Sequence, residues 1–372
     1  MSRPVIGLDY RPALIGGSGI GRYVRELVRA LPEFCADLDL RLFAVFRKEV
    51  GPRRLPPGCE AFRLVEGRFP GRLLRYLGAL GLAGVETFSG RLDLFQDTDY
   101  VDLPRRCRRG LATIHDLSFL RDPSWYPARN RARLDRVTRR LVARSRLITT
   151  DSETSKADLV ELLGLAPDRV VVAPLGADDR FAALADPEPA GPPRILCCGT
   201  LEPRKNHLRL LAAFDRLRER EPEARLVIVG RRGWLDDEIV AGIEARADRG
   251  LHWLADADDR ALLAEMAAAD IVAYPSLWEG FGLPLLEGLA AGRAVLTSDR
   301  GSMAEIAGGA AVLVDPTSTA AIAEGLIALA GDAALRARLG RAARERAGLY
   351  SWRRCAEATV AAWRRLLAEE GG

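Results

Sequence analysis

The sequence is poor in several residue types, and each shortage narrows the class of protein it can encode. Six cysteines lie scattered at positions 35, 59, 107, 197, 198 and 355, without a CxxC pair or a Cys/His cluster. This spacing predicts neither a zinc site nor a disulfide framework, and it favours a reducing cytoplasm. No apolar run reaches the length of a membrane span, and the N-terminus lacks a continuous apolar stretch of signal-peptide length.

Lysine and histidine are also rare. The chain has 3 histidines, and of its 55 basic residues all but the lysines at 48, 156 and 205 are arginines. A lysine in so arginine-biased a chain hints at a specific need for an ammonium group, which draws attention to Lys205. His115 ends an apolar run, whereas His207 and His252 are expected to be structural.

The net charge of +4 is unevenly distributed. Residues 1–180 carry 31 basic and 23 acidic residues, a net charge of +8, whereas residues 181–372 carry 24 and 28, a net charge of −4. The basic half suggests an anionic partner, either acidic lipid on the inner face of the cell membrane or a phosphate-bearing acceptor. A solvated arginine-rich face is the alternative. Segment 129–146 is arginine-rich but lacks interleaved aromatics for base stacking, so no nucleic acid is expected.

Short apolar runs alternate with longer amphipathic ones, a pattern typical of parallel sheets covered by helices. The first half predicts strands at 5–9, 40–46, 62–65, 92–95, 111–115, 146–150 and 169–175, and helices at 20–31, within 70–86, at 129–144 and at 154–163. The second half predicts strands at 194–199, 225–230, 251–254, 270–276, 294–298 and 310–314, and helices at 207–219, 235–248, 258–268, 283–291, 317–330, 333–347 and 351–369.

The Pro-rich segment between these two series is a predicted linker. The sequence therefore predicts an α/β fold with two doubly wound Rossmann-like domains facing each other across a cleft. The first spans 1–185, the linker 186–193 and the second 194–350. Helix 351–369 has no strand after it and is available to pack back on the first domain. Ligands in such sheets bind at the carboxyl ends of the strands.

A glycine-rich stretch, GGSGIGRYVREL, leads directly into the helix that begins near residue 20. Backbone at Gly16 and Gly17 can approach a phosphate or a sugar ring closely. A dinucleotide-binding fingerprint is a weaker interpretation, because about five residues separate the strand end from the glycines and the next strand ends in Arg47 and Lys48 rather than in an acidic residue. A structural glycine turn is equally compatible with the pattern.

The stretch GTLEPRKN places Arg204 and Lys205 between a strand that ends at Gly199 and a following helix. Two cations at the carboxyl end of a strand, near a helix N-terminus, suit a diphosphate. A solvated Arg-Lys turn is the alternative. The spacing favours the diphosphate.

The stretch YPSLWEGFGLPLLEGLAAG puts two carboxylates beside a predicted helix N-terminus, a place that favours anions. Glu279 and Glu287 would repel an anion, so we expect them to serve neutral vicinal hydroxyls, for which a carboxylate can accept two hydrogen bonds. Glu287 lies about 6 Å along the helix axis from Leu283, roughly the reach from a diphosphate to a ribose. The alternative is that Glu279 caps the helix and Glu287 is solvated.

Two acidic doublets imitate metal-binding DxD motifs. They are DTD at Asp97–Asp99 and DAD at Asp256–Asp258. Such doublets are common in turns and helix caps, and no further oxygen ligands accompany them in the pattern. No metal site is expected.

Together these motifs resemble one family. EGFGLPLLE, with seven residues between the glutamates, GTLEPRKN, TIHDLSFL, DSETSKADL and VVVAPLGAD are similar to motifs of the retaining nucleotide-sugar glycosyltransferases of family 4, and they occur in that family's order. The resemblance covers nearly the whole chain and is strongest to mannosyltransferases of surface polysaccharide assembly. It implies the GT-B fold and metal-independent transfer without a cofactor.

The resemblance also implies roles for individual residues. Arg204 and Lys205 would hold the donor diphosphate, Glu287 the ribose, and Glu279 and His115 the transferred sugar. Further donor contacts fall on the loop at Gly16 and Gly17 and on the base-binding loop near Leu254. The start of the helix in EGFGLPLLE adds Gly280, Phe281, Gly282 and Leu283. The leaving diphosphate would take the acceptor proton.

Two departures from the family pattern stand out. Thr200 occupies a position where some members have an arginine, so the diphosphate would depend more on Arg204 and Lys205. Gln96 stands where relatives often have histidine. The expected reaction moves a hexose from a nucleoside diphosphate sugar to a hydroxyl of a glycan or lipid-linked glycan. The first donor expected is GDP-mannose, which would supply mannose. A sugar-nucleotide epimerase, a retaining glycosidase and a non-catalytic glycan- or nucleotide-binding module are the alternatives.

Overall fold

The computed structural model describes residues 3–15, 19–46, 55–187 and 191–369. The chain divides into two compact units. The first unit combines Met1–Leu117, Ala132–Leu175 and Trp352–Gly372, and the second combines Ser118–Arg131 and Gly176–Ser351.

Within the described residues, the first unit has a parallel sheet of seven strands. They are β1 (Val5–Asp9), β2 (Asp39–Phe46), β3 (Arg63–Arg68), β4 (Leu94–Asp97), β5 (Arg109–Thr113), β6 (Leu147–Thr150) and β7 (Val170–Val172). Their order is β3-β2-β1-β4-β5-β6-β7. The order reverses between β1 and β4, which makes the carboxyl ends of these strands the expected binding edge of this unit.

The second unit repeats the same topology in the part of the chain that is described. Its strands are β8 (Arg194–Cys198), β9 (Arg225–Val229), β10 (Leu251–Leu254), β11 (Ile271–Tyr274), β12 (Ala294–Ser298) and β13 (Val312–Val314). They are parallel and ordered β10-β9-β8-β11-β12-β13, so the reversal lies between β8 and β11. The strands are almost wholly apolar because helices cover both faces of such a sheet.

The helices are α1 (Arg11–Leu14), α2 (Gly19–Ala30), α3 (Gly71–Ala79), α4 (Glu86–Ser89), α5 (Ser118–Arg121), α6 (Ala128–Arg144), α7 (Glu153–Leu163), α8 (Asp179–Ala182), α9 (His207–Arg218), α10 (Asp237–Glu244), α11 (Asp259–Ala268), α12 (Leu283–Ala290), α13 (Gly301–Ala307), α14 (Thr319–Gly331), α15 (Ala333–Ala347) and α16 (Trp352–Ala368). None of them, within the described ranges, combines the length and apolarity needed to cross a membrane.

The last helix, α16, packs in the first unit through Trp363, whose side chain is fully buried. The Trp363 indole donates to Gln96 Oε1 at 2.7 Å, and Gln96 Nε2 donates to Thr113 Oγ1 at 3.0 Å. Thr113 in turn shares a hydrogen bond of 3.0 Å with Thr149. A buried amide needs such partners, so Gln96 joins α16 to three strands rather than facing a ligand.

Most predicted strands and helices are present, and the differences have local causes. Helices α1, α4, α5 and α8 have four residues each, too few to show a helical period in the sequence. The helix predicted at 235–248 begins only at Asp237, because Leu235 has a left-handed backbone with φ of 54°. The strand predicted at 92–95 is shifted to Leu94–Asp97.

Candidate functional site

The loop after β8 presents the two predicted phosphate ligands. Pro203–Lys205 forms a single 3-10 turn, and Asn206 ends it with a left-handed φ of 64°. The Asn206 amide donates to the carbonyls of Pro275 at 2.9 Å and Pro316 at 2.7 Å. Asparagine tolerates this backbone conformation, and its side chain ties the loop to the segments that follow β11 and β13. Arg204 and Lys205 are therefore held in place before any ligand binds.

Both cations contact Glu279. Lys205 Nζ lies 2.6 Å from Glu279 Oε1, and Arg204 Nη1 donates to Glu279 Oε2. Arg204 Nη2 also lies 2.5 Å from Glu202 Oε1, and the Tyr274 hydroxyl donates to Glu279 at 2.9 Å. We call these five residues the Glu279 cluster. Two cations and two carboxylates balance one another, as buried charges require.

The cluster is almost completely shielded from solvent. Glu202, Arg204, Tyr274 and Glu279 are 2 to 7% exposed, and the Lys205 side chain is 13% exposed. Burial alone would raise the pKa of Glu279, but the charges of Arg204 and Lys205 outweigh it and lower the pKa to about 2. Burial and the Glu279 charge raise the pKa of Tyr274 well above its ordinary value, so its hydroxyl stays a donor. Glu279 is an anion at every physiological pH.

The sequence did not predict this contact, because it assigned Glu279 and the cations to different parts of a ligand. The topology explains it. The loops after β8 and β11 leave adjacent strands at the point where the strand order reverses, so residues far apart in sequence meet at one edge. An anionic ligand would compete with Glu279 for the cations.

The N-terminus of α12 lies a few residues after Glu279 in the sequence. Gly282 has a φ of 95°, and a Cβ on it would lie 2.5 Å from Met303 Cε, so only glycine fits before Leu283. Ser302 Oγ donates to the carbonyls of Glu279 at 2.9 Å and Phe281 at 3.1 Å. These contacts orient the Gly280–Gly282 backbone into the helix.

Three further donor-contact predictions lie on the same unit. Glu287 is inside α12 and only 2% exposed, so the alternative of a solvated glutamate is wrong. The Phe281 ring is buried against Tyr350, with 5.8 Å between centroids, so its side chain packs inside the unit. Leu254 ends β10, and its carbonyl accepts from Gly230 at 3.1 Å. Gly16 and Gly17 lie outside the described residues.

His115 lies in the first unit, just beyond β5, and both ring nitrogens face acceptors. Nδ1 lies 2.8 Å from Asp151 Oδ2, and Nε2 lies 3.2 Å from the Thr98 carbonyl. The Tyr23 ring packs edge-on at 4.9 Å. A neutral imidazole has only one N–H, so two acceptors favour the imidazolium. Burial opposes the charge, but Asp151, the Thr98 carbonyl and Asp99 together outweigh burial and raise the pKa of His115 to about 9.

This pairing predicts pH-dependent stability. A histidine whose pKa is raised on folding contributes stability that is complete below about 6.5 and lost as the pH rises through the folded pKa of about 9. The loss in the free energy of unfolding should reach about 3 kcal/mol. Urea unfolding at several values from pH 7 to 9 measures it. In Asp151→Asn the slope should flatten, and equal slopes in both proteins would contradict the pairing.

The acidic doublets have structural partners. Asp97 is fully buried and accepts from Arg105, and the Asp99 carboxylate accepts from the backbone of Tyr100 at 2.6 Å. Asp258 caps α11 by accepting from the Ala261 amide at 2.8 Å. In the described ranges, no three His, Cys, Asp or Glu side chains come together as a metal-binding group.

Four residues that contact the predicted site residues were not predicted from the sequence: Glu202, Tyr274, Thr98 and Asp151. Tyr274 and Asp151 carried a usable signal, since each is a polar residue that ends or follows a buried parallel strand. Their partners could not be read, because hydrogen-bond pairing across strand ends depends on the strand order.

Comparison with known proteins gives matches over most of the chain. The family model described as "Glycosyltransferase Family 4" matches residues 17–181, and the one described as "Glycosyl transferases group 1" matches residues 182–346. The O-antigen chain mannosyltransferase B of Escherichia coli is 29% identical over 373 residues, which covers 94% of this chain and 96% of that protein.

Glycogen synthase of Mycobacterium tuberculosis is 31% identical over 395 residues, which covers 96% of this chain and 92% of that protein. Among solved structures, the sucrose-phosphate synthase of Thermosynechococcus elongatus matches with a TM-score of 0.78 at 19% identity, covering 98% of this chain and 99% of that one. At that identity the match supports only the assignment of the fold.

Proposed function

This chain belongs to glycosyltransferase family 4 and has the GT-B fold, and on that premise we propose that it moves a hexose from a nucleoside diphosphate sugar to a hydroxyl of a glycan or lipid-linked glycan, with retention of the anomeric configuration. GDP-mannose is the first donor to test, because mannosyltransferases are among the relatives. The observation that carries the proposal is the Glu279 cluster at the start of α12.

In the proposed reaction the diphosphate oxygens bind Arg204 and Lys205, beside the amides of Gly280–Gly282. The cations are preorganised and shielded, so they stabilise charge that grows on the diphosphate as the glycosidic bond breaks. Displaced from the cations, the Glu279 carboxylate accepts from hydroxyls of the transferred sugar. Glu287 accepts from the ribose hydroxyls.

The bond changes balance without a dedicated protein base. The bond between the anomeric carbon and the diphosphate oxygen breaks, and the acceptor oxygen bonds to the same face of that carbon. The acceptor proton passes to the leaving diphosphate. His115, held as an imidazolium by Asp151 and the Thr98 carbonyl, contributes positive charge to the sugar side.

A panel of nucleotide sugars tests the proposal. A donor that binds only the folded state raises the melting temperature, so the panel ranks base and sugar together. Transfer to octyl α-mannoside, followed by NMR of the product's anomeric proton, then tests group transfer and retention. Release of nucleoside diphosphate without any acceptor would favour an epimerase or hydrolase, and the absence of any shift would contradict the proposal.

Transfer is expected to persist in excess EDTA. Arg204, Lys205 and the start of α12 supply the positive potential that Mg²⁺ supplies in metal-dependent enzymes. Initial rates with and without EDTA should agree within about twofold, a small fraction of what loss of a catalytic metal would cost. Complete loss, restored by Mg²⁺ or Mn²⁺, would revive a metal role for Asp97 and Asp99.

Glu287→Ala should mainly raise the donor KM. The ribose is remote from the breaking bond, so its contact is nearly equal in the ground and transition states. We expect a rise of about tenfold, the value of one or two charge-assisted hydrogen bonds, with kcat within about threefold of the wild type. Steady-state kinetics measure both. A fall in kcat at an unchanged KM would place Glu287 at the sugar instead.

A further inference from the structure

The second unit contains a cavity of about 670 Å³ that the donor-binding proposal leaves unused. Its walls include Trp125, Trp278, Arg121, His207, Leu208 and Leu235, and we call it the Trp125–Trp278 cavity. The volume lies within the roughly 300–1,000 Å³ of small-molecule sites.

His207 lines this cavity in an unusual state. It is 1% exposed, and among the described residues neither ring nitrogen has a side-chain partner or a partner in good hydrogen-bonding geometry. Burial and the nearby Lys205 charge lower its pKa to about 4, and they outweigh a backbone contact with Glu202 that favours the charged ring. The imidazole is therefore neutral, with one donor and one acceptor. A buried polar group without partners is costly, so a ligand that satisfies it is expected.

The other walls suit a sugar. Trp125 and Trp278 are both partly exposed, and Arg121 lies over the Trp278 ring at 5.1 Å. Leu208 and Leu235 are 44% and 54% exposed. Apolar surfaces with a few polar groups match a ring that has C–H faces and hydroxyl edges. A hydroxyl both donates and accepts, as a neutral imidazole does.

Charge argues against a strongly ionic occupant. The lining has Arg121, Arg209 and Arg300 opposite Asp122 and Glu238. Arg300 is paired with Asp315 at 2.7 Å, and Arg209 donates to Asn206 at 3.0 Å. Charges of both signs, partly neutralised locally, leave no strong net field for a polyanion or polycation.

The cavity and the Glu279 cluster share two loops. Trp278 directly precedes Glu279, and its carbonyl accepts from Arg204 at 2.7 Å. The Leu277 amide donates to the Arg204 carbonyl at 2.8 Å. His207 follows Lys205 by two residues and begins α9. A ligand in the cavity would therefore lie beside the donor-binding residues, where a second substrate is needed.

We propose that the Trp125–Trp278 cavity binds a hexose unit of the acceptor glycan, with His207 hydrogen-bonded to one of its hydroxyls; this rests on the proposed glycosyltransferase reaction. Leu235 forms part of the rim, and its left-handed φ of 54° holds an exposed apolar side chain there at a conformational cost.

The test compares His207→Leu, Trp125→Ala and Leu235→Gly with the control Leu349→Ala, another exposed leucine outside the cavity lining. His207→Leu removes an unpaired buried polar group and Leu235→Gly relieves the backbone, so both should melt at or above the wild-type temperature. Each should raise the KM for octyl α-mannoside, about tenfold for His207→Leu, while the donor KM stays unchanged.

Binding of octyl α-mannoside and of α-mannobiose, measured by saturation-transfer NMR on nucleoside-diphosphate-saturated protein, provides a readout independent of turnover. Loss of binding in the three variants but not in Leu349→Ala supports the proposal. It is overturned if the wild type binds neither saccharide, or if the variants bind and use the acceptor like the wild type. In the latter case donor binding and transfer persist, so the glycosyltransferase function stands.

Discussion

Glu279→Gln is expected to lower kcat by about 10²–10³-fold while the protein binds free nucleoside diphosphate at least as tightly as the wild type. The neutral amide has the same shape but no longer neutralises Arg204 and Lys205, which contact the carboxylate in the ligand-free protein. The cations then lose a weaker interaction with residue 279 when phosphate binds. Calorimetric titration with the nucleoside diphosphate and steady-state kinetics measure the two effects separately.

The same change should weaken folding. Removing one partner of a buried ion cluster leaves unpaired charge and costs roughly 3–5 kcal/mol in the free energy of unfolding. Bound nucleoside diphosphate should restore much of this, so it should raise the melting temperature more in Glu279→Gln than in the wild type. Glu324→Gln, on the exposed side of α14, is the matched control. If Glu279→Gln lost nucleotide binding, Glu279 would serve the nucleotide rather than the sugar.

Lys205→Met is expected to lower both kcat, by about 10²-fold, and the affinity for nucleoside diphosphate. In the proposed reaction the ammonium group faces an anion whose charge grows as the glycosidic bond breaks, so its loss should cost more in the transition state than in the ground state. Methionine suits the site because the Lys205 alkyl chain packs against Gly199, with 3.5 Å between Lys205 Cε and a Cβ built there. The methionine side chain should therefore fit the space, although loss of the ion pair with Glu279 should lower the melting temperature.

Lys156→Met provides the matched control, since Lys156 is a partly buried lysine on α7 in the first unit. Its kinetics should equal those of the wild type. Lys205→Arg should recover part of the nucleotide affinity through its charge, but less of kcat, because a guanidinium cannot reproduce the compact contact with Tyr274 and Glu279. Wild-type kcat and nucleotide affinity in Lys205→Met would place the diphosphate elsewhere.

Much of the architecture follows from local patterns. Buried parallel strands are continuous apolar runs and the longer helices have a clear period, so both series of strands and helices could be predicted. The short helices α1, α4, α5 and α8 could not, because four residues carry no period. The family motifs also identified which loops bear Arg204, Lys205 and Glu279.

The sequence by itself determined the doubly wound α/β class, the family and the residue types at the strand ends. Only the tertiary structure decided which of these side chains contact one another. The strand order brings the loop after β8 beside the loop after β11, so Glu279 meets both cations. It likewise sets Asp151 against His115 and, within the described part of the chain, buries His207 without a side-chain partner. Electrostatic pairing acts over a few ångströms of space, and those distances arise when the sheets assemble.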